Sequence, residues 1–166
     1  GARFSRISAL SVFQIDICAS TSSTAACKPE RIRATSTPGF AQNSDDQRVP
    51  QPLRVYVGLG SRDTVNERAE LALAELIRAG GFERKVLIVA TPTGTGWLDP
   101  GGVDTVEYLH AGETAMVTLQ YSYLPSWLTI LVDPSRPREA ATALFSGVYE
   151  HWKGLPRERR PRLYLH

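Results

Sequence analysis

The stretch KVLIVA, residues 85–90, leaves no polar face. After Lys85 every side chain is apolar, so a strand here must be covered on both sides. The sequence before it supplies one cover. In TVNERAELALAELIRAGG, residues 64–81, Ala69, Ala72, Leu73, Leu76 and Ile77 fall on one helical stripe. Thr64 and Glu67 have the spacing of a capping box. Gly80 and Gly81 suit a left-handed helix end.

The same alternation runs from residue 53 to the end. LRVYVGL reads as a buried strand that turns at Gly58 and Gly60. TPTGTGWLDP reads as a loop whose Asp99 and Pro100 start a short helix reaching about His110, closed by Gly112. AMVTLQYSY, from Ala115, is a third strand. LPSWLTILVDP is compatible with a short apolar helix or an extended segment. A further helix over residues 137–153 carries Ala141, Leu144, Phe145, Val148, Tyr149 and Trp152 as its buried stripe, and Gly154 stops it. RLYLH, residues 162–166, begins a fourth strand. Strand alternating with helix predicts an α/β fold with a parallel, helix-covered sheet and right-handed crossovers. Sites in such sheets gather at the carboxyl ends of strands. The segments of interest are residues 58–63, 91–99 and 120–126, and whatever follows residue 166.

Residues 1–52 have a different texture. They are rich in Ser, Thr, Arg and Pro without amphipathic period, and are expected to form a disordered tail or linker, with a targeting segment as the rival. Within it, ISALSVFQIDIC has the content for one stray strand or helix. Cys18 and Cys27 both lie there, without CxxC spacing or a nearby His, and support no metal site. The tail holds six Lys/Arg and four Asp/Glu, and the remainder thirteen of each. A neutral folded part argues against a sequence-independent grip on nucleic acid. No apolar run approaches the ~18–20 residues of a membrane-spanning helix. The longest, residues 123–132, contains Pro125.

TPTGTGW is the most suggestive loop. Gly94 and Gly96 let backbone amides face a ligand, and Thr91, Thr93 and Thr95 add hydroxyls. Such a loop can cradle an anion or an oxyanion, or can be a tight connection that needs glycine for geometry alone. It lacks the Gly-Lys-Ser/Thr of a Walker A loop and the full GxGxxG of a dinucleotide site. Asp99 and Asp133 precede proline at helix starts and read as caps; Asp63 and Asp104 complete the carboxylates of interest. His110, His151 and His166 are scattered, the first two near helix C-termini. Arg157, Arg159, Arg160 and Arg162 read as a solvated turn. Trp127, Leu128, Ile130 and Leu131 read as core, with an acyl pocket or membrane contact as the rival. Neither Ser122 nor Ser126 has the glycine-flanked setting of a nucleophile.

The stretches RVYVGLGS, ERAELALAELIRAGGFERKVLIVATPTGTGWLDP, VDTVEYLHAGETA, QYSYLPSWLTILVD and RPRLYLH resemble a group of bacterial α/β-hydrolase family proteins. Members of that group resemble membrane-anchored serine hydrolases, with transmembrane helices ahead of a C-terminal catalytic domain. The resemblance starts at Leu53 and leaves residues 1–52 unmatched. It implies a three-layer α/β-hydrolase-like sandwich, cut before the nucleophile elbow. In that family the strand matching residues 162–166 runs into Gly-x-Ser-x-Gly, and the triad acid and His follow in chain order. Serine, acid and histidine would then lie beyond His166, which precedes the elbow and is not the catalytic base. The resemblance implies a small ester or acyl substrate and no cofactor. It places an oxyanion amide in the 91–97 loop, with Thr93, Gly94 and Thr95 left as equal candidates. This chain is expected to be inactive alone and prone to self-association through an exposed strand edge. A phosphate- or nucleotide-binding α/β module and a non-functional gene remnant are the alternatives.

Overall fold

The computed structural model describes residues 50–166. The expectations for the tail, its cysteines and its stray element lie outside these residues, but for the last three positions of the tail. Among the described residues four strands form one sheet: β1 (Leu53–Val57), β2 (Val86–Ala90), β3 (Thr114–Leu119) and β4 (Arg162–Leu165). All pairings are parallel and the order is β1-β3-β2-β4. The helices are α1 (Val65–Arg78), α2 (Pro100–Leu109), α3 (Ser126–Val132) and α4 (Ser135–Gly154).

Strand alternation divides the core in two. Val55, Val57, Leu87, Val89, Ala115 and Val117 face α1 and α4, where Ala69, Ala72, Leu76, Leu144 and Val148 complete a cluster. Val86, Ile88, Ala90 and Met116 face the other way, onto Leu98, Val103 and Val106 of the α2 layer. Every residue of β2 and β3 is buried, as their apolar runs require. Helices therefore cover both faces, in agreement with the expected α/β sandwich.

The helix signals hold in detail. The Thr64 hydroxyl accepts from the Glu67 amide, and the Glu67 carboxylate accepts from the Thr64 amide. Those bonds hold Glu67 below the usual carboxylate range, the Thr64 hydroxyl contributing most. Asp99 accepts from the amides of Gly101 and Gly102, and Pro100 takes the first helical position.

Three local expectations need correction, and one open reading is resolved. Ile77 is half exposed, because it sits at the edge of the α1 stripe near the helix end. Gly80 is left-handed, at φ 77°, but Gly81 is not; a Cβ on Gly81 would overlap the Leu76 side chain. Of the two readings left open for LPSWLTILVDP, the short helix is the one formed, as α3, and Pro134 is the N-cap of α4. Gly154 is the last residue of α4 rather than a stop beyond it.

Candidate functional site

The sheet order brings two carboxyl-terminal ends together. β4 pairs with β2 rather than with β3, its predecessor in sequence. The Thr91 amide donates to the His166 carbonyl at 2.8 Å, and the His166 amide donates to the Val89 carbonyl at 3.0 Å. The 91–97 loop and the end of β4 thus leave the sheet side by side.

Inside the loop, most amides are already used. The Thr93 amide donates to the Trp97 carbonyl at 2.9 Å, and the Gly96 amide to the Thr93 carbonyl at 2.8 Å. The Trp97 amide reaches the Thr93 hydroxyl at 3.1 Å. The Gly94 amide donates to the Ser126 hydroxyl at 2.9 Å. Among the described residues the Thr95 amide has no hydrogen-bond partner. Both glycines are required by their surroundings. A Cβ on Gly94 would overlap the Leu124 carbonyl oxygen, and Gly96 combines φ 91° with contact against the Tyr56 hydroxyl.

Gln120, which the sequence does not single out, ties three loops together. Its side-chain oxygen accepts from the Leu59 amide at 3.1 Å. Its nitrogen donates to the carbonyls of Thr95, at 3.2 Å, and Ser122, at 2.9 Å. A glutamine directly after an apolar strand is the available signal, since such a group, once buried, must find partners. Tyr56 is a second residue without a sequence signal. Its hydroxyl is buried and among the described residues has no hydrogen-bond partner, and burial pushes its pKa up to about 12.

The segment that holds Gly94 also carries a large apolar surface. Tyr123, Trp127, Ile130, Leu131 and Val132 are mostly exposed, whereas Thr129 is the buried side chain of α3. The core reading of Trp127, Ile130 and Leu131 is therefore wrong. α3 is short and is anchored by polar contacts: the Thr129 hydroxyl donates to Ser122 Oγ at 2.9 Å. Trp97, half exposed on the 91–97 loop, adds to the apolar rim of this end of the sheet.

The remaining candidate carboxylates and serines, Asp63 apart, are engaged in local hydrogen bonds and ion pairs. Asp104 joins Glu107 around Arg54 of β1: Arg54 Nε and Nη2 each lie 2.6 Å from a Glu107 oxygen, and Nη2 lies 2.9 Å from Asp104. Burial lowers the Arg54 pKa, but the bonds and charge of Glu107 and then Asp104 more than offset it, leaving it raised. Asp133 accepts from the Ser135 hydroxyl and pairs with Arg136, which hold it below the usual carboxylate range. The Asp63 carbonyl, not its carboxylate, is engaged, accepting from the buried Arg68 along with the Arg62 carbonyl. Ser122 and Ser126 serve the loop network, and among the described residues no histidine side chain hydrogen-bonds to a serine or a carboxylate. The basic turn is only partly solvated. Arg160 donates to the Leu155 and Lys153 carbonyls at the end of α4 and lies 5.0 Å over the Trp152 ring.

No helix among the described residues is long and apolar enough to cross a membrane. A family model described as "Alpha/beta-hydrolase family" matches residues 53–166. No curated protein and no solved structure matches the chain.

Proposed function

The chain belongs to the alpha/beta-hydrolase family, and on that premise we propose that residues 53–166 are the N-terminal part of the catalytic domain of a serine ester or acyl hydrolase. The observation that carries this reading is the pairing of Thr91 with His166 across β2 and β4. It sets the 91–97 loop beside the end of the strand that, in this family, delivers the nucleophile. A serine on a turn following β4 would emerge next to that loop. Of the three candidate amides, those of Thr93 and Gly94 are spent inside the protein. The Thr95 amide is the oxyanion donor, held in place by Gln120 on its own carbonyl.

A nucleotide or phosphate cradle has less support. It uses several convergent amides, and this loop leaves one. The first amides of α2 are also occupied, by the Asp99 carboxylate. The 166 residues contain no Gly-x-Ser-x-Gly, so the reading holds this chain inactive by itself. The catalytic domain begins at Leu53, and an ester or acyl compound is the substrate.

The test uses a fluorophosphonate probe on two proteins. The 166-residue chain stays unlabelled, and a version extended through an elbow and triad is labelled. Labelling of the shorter chain would overturn the reading. In the extended protein, Thr95→Pro removes the proposed donor and lowers kcat about a hundredfold or more, whereas Thr95→Ala retains activity.

A further inference from the structure

We propose that a cleft at the opposite, amino-terminal edge of the sheet binds a phosphate-bearing anion. The cleft encloses about 720 Å³, within the size range of small-molecule sites. Val86 and Arg162, the first residues of β2 and β4, form part of its wall. It therefore lies a full strand length from the 91–97 loop, and its ligand is independent of the hydrolase reading.

Charge distinguishes this cleft. Residues 53–166 are neutral as a whole, yet five of the fifteen cleft residues are Arg or Lys, against Glu83 and Glu158. His110 and His151 add two imidazoles. Part of this concentration has an internal cause. The C-terminal ends of α1, α2 and α4 all reach the cleft, and their carbonyls favour cations. Arg160 answers that need through the Leu155 and Lys153 carbonyls, and Lys85 lies 3.7 Å from Glu113.

Arg84, Arg159 and Arg162 are not used in this way. Among the described residues none of their side chains makes a hydrogen bond or an ion pair. They come from two separate connections, the turn before β2 and the segment around the start of β4. Three guanidinium groups lining one cleft from two connections suit the several oxygens of a phosphate better than one carboxylate. An extended nucleic acid is a poorer fit: Phe82, the one Phe, Tyr or Trp of the lining, is buried with its ring 4.5 Å from that of His151.

Calorimetric titration of the full 166-residue chain with pyrophosphate tests the proposal. Saturable binding with Kd at or below about 1 mM is expected. Arg84→Ala with Arg162→Ala weakens it at least about tenfold, and Arg138→Ala, on the exposed face of α4, leaves it unchanged. Circular dichroism establishes that the double variant is folded. Co-sedimentation with phosphatidic acid vesicles, against phosphatidylcholine vesicles, separates a lipid headgroup from a soluble ligand as the source of the phosphate. The absence of saturable heat up to about 10 mM pyrophosphate, or equal binding by the folded double variant, overturns it.

Discussion

The Gly94 amide and the Ser126 hydroxyl meet at 2.9 Å across thirty-two residues of sequence. That single bond ties the proposed oxyanion loop to α3, and it removes Gly94 from the set of available donors. Its loss leaves a buried amide unpaired, which costs about 1–3 kcal/mol. Ser126→Ala is expected to lower stability by that amount in urea denaturation. Gly94→Ala costs about 3 kcal/mol, because the new methyl meets a backbone carbonyl that cannot rotate away.

Gly96 and Tyr56 form a second coupled pair. Gly96→Ala suffers both from positive φ and from overlap with the Tyr56 ring and hydroxyl. Tyr56→Phe removes a buried hydroxyl without a partner and is neutral, or stabilising by up to about 1 kcal/mol. A double-mutant cycle should recover only the overlap with the hydroxyl; the ring contact and a backbone penalty of about 1 kcal/mol remain.

Tyr56 also predicts an alkaline transition. Its folded pKa, raised by burial to about 12, exceeds the ordinary value of 10.0. The folded state therefore holds this proton more tightly than the unfolded state. The resulting stability is complete below pH 10.0 and is lost as pH rises toward about 12. Denaturation midpoints measured across this window should fall less steeply in Tyr56→Phe than in the parent chain.

The Arg54 pair with Glu107 joins the outer strand β1 to α2, and the Glu107 side chain is 4% exposed. Glu107→Ala removes two charge-assisted bonds from a largely buried guanidinium and leaves it to Asp104. A loss of about 3 kcal/mol is expected, near the low end for broken buried pairs because Arg54 keeps 20% of its side-chain surface in water. Replacing both partners with Met should cost less than Glu107→Ala alone, which a denaturation series checks.

The exposed side chains of α3 supply a solubility test. Trp127→Lys with Leu131→Lys removes no core contact of the kind Thr129 makes, and should change stability by under about 0.5 kcal/mol. Sedimentation velocity should show less self-association in the double variant, because a contiguous apolar patch and the outer strand β4 both invite pairing.

Local and periodic features are legible in the sequence. Thr64 with Glu67, and Asp99 with Pro100, announce helix starts because capping partners lie within three residues of each other. The apolar runs of β2 and β3 announce burial on both faces because side chains alternate along a strand. The 91–97 loop is legible as a candidate site because glycine and threonine follow a buried strand directly. Which of its amides is available is not, since that depends on Ser126, Trp97 and Gln120 arriving from elsewhere.

The type of the 124–134 segment could not be read from the chain by itself, whereas the strands and the long helices, the two-sided cover of the sheet and the family resemblance all could. These rest on short-range periodicity and on long matching runs. Tertiary structure alone decided that β4 lies against β2, that Asp104 and Glu107 neutralise Arg54, and that the α3 side chains face outward. It also decided that Arg160 closes a helix while Arg84, Arg159 and Arg162 line a cleft. Each depends on contacts between residues far apart in the chain, and the geometry that creates them exists only once the sheet is ordered β1-β3-β2-β4.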